Sequence, residues 1–117
     1  MQFICYEKCG TCRKAKKWLD EHGLAYDIRA IKEAPPTEAE LREWHRKSGL
    51  PLKKFFNTSG QSYRTLKLGE KLKDMSEDEQ YRLLASDPML VKRPVCITDD
   101  GNVYIGFREE DYRNLTI

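Results

Sequence analysis

Long apolar runs are missing from this sequence. None approaches the roughly 20 residues that cross a bilayer, so no spanning helix is expected. A secretory pattern is missing too: Met1 leads straight into a strand-like run, Gln2 to Tyr6. The expected location is therefore cytoplasmic. One-sided charge is also absent. Charged residues make up 34% of the chain, yet the net charge is only +2, which argues against direct nucleic-acid or membrane binding. Histidine is scarce, with two residues, His22 and His45. Neither falls at paired ligand spacing with a cysteine, so no metal site is expected. There is no internal repeat and no low-complexity tract. Structural disulfides are rare in a reducing compartment, so the four cysteines need another explanation.

What remains is a chain of 117 residues with 39% hydrophobic content. That is one domain, 1–117, with enough apolar surface for a core.

The stretch that carries chemistry is Cys9-Gly10-Thr11-Cys12-Arg13-Lys14-Ala15-Lys16-Lys17. It follows the apolar run and leads into an amphipathic segment. Two thiols at CxxC spacing thus sit where a strand turns into a helix. Helix N-termini present unpaired N–H groups and the positive end of the dipole, which favour a thiolate. Lys8, Arg13, Lys14, Lys16 and Lys17 add positive charge, and no acid follows the pair until Asp20. Such a pair serves as a dithiol–disulfide couple, as an inert half-buried pair, or as half of a metal site. In the first case Cys9, on the turn, is the nucleophile, and Cys12, in the helix, is the resolving thiol. Cys5 and Cys96 lie within strand patterns and read as small core residues.

Taken in order, Thr11 to His22 reads as a helix, with Cys12, Ala15, Leu19 and His22 on one stripe and Trp18 beside it. Gly23 ends it. Leu24 to Arg29 reads as a second strand, parallel to the first because a helix joins them. Ala34-Pro35-Pro36 breaks the pattern. Thr37 with Glu40, and Ser76 with Glu79, have capping-box spacing, and each opens a helix. The first buries Leu41, Trp44 and His45, and the second Tyr81, Leu84 and Ala85. Between them lie a short helix with Pro51 as its first residue, a polar loop from Asn57 to Ser62, and a helical turn from Tyr63 to Leu68. Leu90 to Thr98 and Val103 to Phe107 flank an Asp-Gly turn and read as a hairpin. A short helix from Arg108 to Leu115 follows. The expected fold is α/β, in the order β-α-β, an all-helical insert, then β-β-α.

That order is the thioredoxin topology. Four stretches narrow it: CGTCRKA from Cys9, FFNTSGQSYR from Phe55, LLASDPMLVKRPV from Leu83 and GFREEDY from Gly106. In this order they resemble the ArsC family, which covers glutaredoxin-linked arsenate reductases, Spx-type transcriptional regulators and YffB-like reductases. The resemblance implies a thioredoxin-like core, about 1–33 and 89–117, with the helical insert at about 34–88 between the second and third strands. It implies that Cys9 is the nucleophile and Arg93 an oxyanion-binding arginine before a cis Pro94. Gly10, Thr11, Arg13, Asn57 and Arg64 are further substrate- or anion-binding candidates, and Ser59 and Gln61 could line the same cleft. Arsenate reductases of the family carry serine where this chain has Cys12. Asn57 and Phe107 stand near the places of their two other arginines, with Arg64 and Arg108 as neighbours.

Two functions follow from the resemblance. One is a cytosolic, monomeric thiol–disulfide oxidoreductase that binds no cofactor and takes electrons from glutathione, glutaredoxin or a thioredoxin system. The other is a redox switch of Spx type, in which a Cys9–Cys12 disulfide changes affinity for RNA polymerase. Spx-type chains carry a longer C-terminal tail, which favours the enzyme.

Overall fold

The structure is a computed structural model and describes residues 1–58 and 60–116. Four strands form one mixed sheet: β1 (Gln2–Cys5), β2 (Asp27–Ala30), β3 (Val95–Ile97) and β4 (Val103–Ile105), in the order β2-β1-β3-β4. β1 is parallel to β2 and antiparallel to β3, and β3 is antiparallel to β4. Helices α1 (Gly10–Glu21) and α6 (Glu109–Arg113) come from the two ends of the chain. Between β2 and β3 lie α2 (Glu38–Ser48), α3 (Gln61–Thr65), α4 (Leu68–Lys71) and α5 (Glu77–Ser86), with short 3-10 turns among them. This is the expected α/β, thioredoxin-like arrangement with a helical segment between the second and third strands.

The period-two alternation of strand side chains sorts the core onto two faces. Phe3 and Cys96 pack with Ala15, Trp18, Leu19 and Tyr112 on the α1/α6 side. Ile4, Val95, Val103 and Ile105 pack with Leu41, Trp44, Phe56 and Leu84 on the side of the inserted helices.

Helix ends follow local chemistry. Thr37 accepts the Glu40 N–H at 3.1 Å and donates its own N–H to the Glu40 carboxylate at 3.1 Å, which completes the capping box. Ser76 accepts the Glu79 N–H, while the Glu79 carboxylate takes the Ser76 hydroxyl proton rather than the backbone N–H. Gly23 has φ of 66°, and the Gly23 and Leu24 N–H groups bond to the Asp20 and Leu19 carbonyls, a Schellman ending of α1.

Several expectations shift. Leu24–Tyr26 is a connection, and β2 begins only at Asp27, whose N–H bonds to the Met1 carbonyl at 2.8 Å. Pro51 precedes a 3-10 turn at Leu52–Phe55 rather than opening it. The Leu90 to Thr98 run is not one strand. Leu90 closes a 3-10 turn, Val91 makes an isolated bridge to Phe56, and β3 starts at Val95 after Pro94, which has no N–H to pair. His22 caps α1 in solvent, off the buried stripe, stacked on Trp18. His45 is half-buried, its Nδ1 2.5 Å from the Tyr81 hydroxyl.

Candidate active site

Cys9 is the N-cap of α1, with extended backbone and a half-buried side chain. The Cys9 N–H bonds to the Tyr6 carbonyl at 3.0 Å, and the Cys9 carbonyl accepts the Arg13 N–H at 3.1 Å. The turn is therefore fixed on both sides of the thiol. Cys12, the third residue of the helix, is buried, and its sulfur accepts the Tyr6 N–H at 3.4 Å.

The two thiols are displaced in opposite directions. Burial raises Cys9, but the Cys12 backbone N–H, the Cys12 thiol, the Arg93 guanidinium and the Thr11 N–H outweigh it, so the thiol is lowered overall. This is the helix N-terminus acting through particular N–H groups. Cys12 is pushed up to about 12, by burial first, against the Tyr6 N–H, and further by the neighbouring Cys9 charge. Cys9 is thus the first of the pair to lose its proton, while Cys12 keeps its own and donates it toward Cys9.

Arg93 stands beside the pair. Its guanidinium lies over the Tyr6 ring at 5.2 Å, and Nη1 donates to the Met89 and Val91 carbonyls at 3.3 and 3.2 Å. Among the described residues its buried Nε has no hydrogen-bond partner. The peptide bond to the buried Pro94 is cis. The Leu90–Lys92 segment before Arg93 is anchored to the insert, because Leu90 accepts the Asn57 N–H at 2.7 Å and Lys92 donates its N–H to Phe55 at 2.8 Å.

The other candidates are placed as follows. Gly10 and Thr11 form the exposed first turn of α1, and a Cβ on Gly10 would meet nothing within 4 Å. Arg13 is exposed, with Nε bonded to the Glu7 carbonyl at 3.1 Å. Asn57 is half-buried next to the Phe56–Val91 bridge, folded back on Gly60, where any Cβ would come within 2.6 Å of its amide nitrogen. Arg64 stands exposed on α3 with no hydrogen bond or ion pair to either cysteine, and Gln61 is exposed at the start of that helix. Arg108 caps α6 and lies 3.8 Å from Glu110. Ser59 lies outside the described residues.

Two neighbours carry weight that the sequence did not signal. Tyr6 supplies the N–H to Cys12 and the ring under Arg93. Cys5, read as core, is half-buried and lines a groove of about 460 Å³ with Cys12, Arg13, Lys16 and Lys32. This groove reaches neither Cys9 nor Arg93. Cys96 does lie fully buried in the core. Among the described residues, no three of His, Cys, Asp and Glu are grouped to hold a metal, and no helix is long and apolar enough to cross a membrane.

A thioredoxin-like sheet with a CxxC pair at the start of its first helix and a cis proline before its third strand defines the class. The chain belongs to the ArsC family, whose sequence profile matches residues 5–115. It is 58% identical over 112 residues to YusI of Bacillus subtilis, an uncharacterized protein, covering 96% of this chain and 94% of that one. It is 30% identical over 107 residues to the global transcriptional regulator Spx 2 of Bacillus cereus, covering 92% of this chain and 79% of that one. A crystal structure of a Bacteroides fragilis protein described as ArsC family related superposes with a TM-score of 0.94 at 49% identity, covering 97% and 95% of the two chains.

Proposed function

We propose that this protein is a thiol–disulfide oxidoreductase in which Cys9 attacks and Cys12 resolves. The observation that carries the reading is the placement of two thiols one helical turn apart at the start of α1, Cys9 half-buried at the N-cap and Cys12 buried with its sulfur accepting the Tyr6 N–H. These surroundings lower Cys9 and raise Cys12. The Cys9 thiolate attacks one sulfur of a substrate disulfide, and the other sulfur leaves as a thiolate. Neutralising Cys9 in the mixed disulfide removes one of the charges that hold the Cys12 proton. Cys12 then loses its proton to solvent and attacks the Cys9 sulfur. The internal disulfide forms and the second substrate thiolate departs. A glutathione-, glutaredoxin- or thioredoxin-linked thiol system in the cytoplasm returns two electrons and two protons to the pair.

Arg93 is the anion-binding member of the site. Its guanidinium charge, which favours the Cys9 thiolate, suits a carboxylate or oxyanion on the substrate. Gly10, Thr11, Arg13, Asn57 and Arg64 are the further candidates for holding the substrate. The test is reduction of glutathione disulfide or a mixed-disulfide peptide by the pre-reduced protein. Wild type consumes the disulfide and Cys9→Ser does not; full turnover by Cys9→Ser contradicts the assignment.

A second reading is favoured by the likeness to Spx 2. The same disulfide would then switch binding to RNA polymerase. Capture of polymerase in one redox state only, without disulfide reduction, supports the switch over the enzyme.

A further inference from the structure

The chemistry above leaves Cys5 unused. Cys5 is the last residue of β1 and pairs with Ala30, a small residue, on β2. On its other side the β1–β3 register ends at Ile4 opposite Val95, so the next position belongs to Pro94, which has no N–H to extend the ladder. Strand alternation puts Cys5 on the Phe3 face, toward α1. The groove is lined by both Cys5 and Cys12. The Cys12 sulfur lies 3.4 Å from the Tyr6 nitrogen, the amide of the peptide bond that begins at Cys5. Three thiols thus gather at one end of the sheet, and two of them line one groove.

We propose that Cys5 is a second partner for Cys12, so that the oxidised site passes its disulfide from Cys9–Cys12 to Cys5–Cys12. This rests on the redox reading of the pair. Cys5, raised overall by burial with the nearby Lys16 ammonium opposing the rise, first loses its proton to solvent. The Cys5 thiolate attacks the Cys12 sulfur. The Cys5–Cys12 bond forms, the Cys9–Cys12 bond breaks, and the electron pair leaves on Cys9 as a thiolate. The exchange neither consumes nor supplies electrons, because one disulfide replaces another.

The direction follows from the surroundings. Attack on the Cys12 sulfur expels the thiol that is lowered, which is the better leaving group. The freed Cys9 regains the Thr11 and Cys12 N–H groups and Arg93, whereas Cys5 is raised by burial and loses little on entering a disulfide. The fourth thiol, Cys96, is 0% exposed beneath α1 and α6 and takes no part. The consequence is a three-thiol relay: the oxidised protein keeps a reactive Cys9 thiolate, free to attack a second disulfide.

The test compares wild type with Cys5→Ser. Each full-length protein is reduced, oxidised with one equivalent of diamide at neutral pH, quenched in acid at intervals and alkylated, and its disulfides are mapped by peptide mass spectrometry. In wild type the Cys9–Cys12 link appears first, then most of it is replaced by Cys5–Cys12 while Cys9 becomes the alkylated residue. Cys5→Ser stops at Cys9–Cys12. A wild-type pattern that also stops at Cys9–Cys12, or that links Cys5 to Cys9, overturns the relay and leaves the catalytic pair standing. Absence of any internal disulfide in both proteins overturns the relay together with the redox reading.

Discussion

The Arg93 guanidinium lies over the Tyr6 ring, 5.2 Å from its centre, and so joins the segment before β3 to the turn that carries Cys9. The carbonyls of Met89 and Val91 hold it there, and its charge favours the Cys9 thiolate. Arg93→Ala therefore raises the Cys9 pKa and slows its alkylation at neutral pH several-fold. Arg93→Lys restores a charge without the planar fork and gives a smaller effect. Thiolate absorbance followed against pH measures both.

Cys12 acts on Cys9 through its thiol proton as well as through its backbone N–H. Cys12→Ala removes the side-chain donor, so the Cys9 pKa rises. Cys12→Ser keeps a donor, so the rise is smaller. Both variants lose the resolving sulfur. After challenge with glutathione disulfide, intact-mass measurement should find a persistent glutathione adduct on Cys9 in each, where wild type shows only a transient one.

Phe56 is buried in the core on the insert side, and its bridge to Val91 supports the run that leads to Arg93. Phe56→Ala should cost about 3–5 kcal/mol of stability, as truncation of a buried aromatic does. Urea unfolding reads the loss as a lower midpoint.

Arg29 donates to both carboxylate oxygens of Glu40, at 2.6 and 2.8 Å, and this holds the Glu40 pKa below the usual carboxylate range. A lowered acid contributes stability above its unfolded pKa and loses it as pH falls through the folded pKa. Glu40→Gln should therefore be less stable than wild type at neutral pH, by about 1 kcal/mol for a partly exposed pair. Denaturation curves of the two proteins should converge below the ordinary glutamate range.

Features set by short-range chemistry were legible in the sequence. The Thr37–Glu40 box, the Gly23 ending and the Asp-Gly hairpin each depend on residues within a few positions of one another. Cys9 and Cys12 were legible for the same reason, since spacing and a helix start place them. The start of β2 was not, because Leu24 and Tyr26 look strand-like while the Schellman ending and the Met1 carbonyl decide where pairing begins. The break at Pro94 was hidden within an apolar run. The approach of Arg93 to Cys9 joins residues more than 80 positions apart, and only the resemblance to ArsC proteins pointed to it. Cys5 looked like core because its strand is apolar; its access comes from the groove on the β2 side, lined by Ile28, Ala30 and Lys32.

The central claim is that Cys9 alone, among the four cysteines, is displaced toward the thiolate by its surroundings. The direct test is the alkylation rate of each cysteine in the native reduced protein as a function of pH, resolved by peptide mass spectrometry. Cys9 should react first, with a midpoint below that of an ordinary thiol, while Cys12 and Cys96 stay protected into strongly alkaline solution, in line with about 12 and about 11. A Cys9 midpoint at or above the ordinary thiol value, or Cys12 reacting ahead of it, would contradict the account.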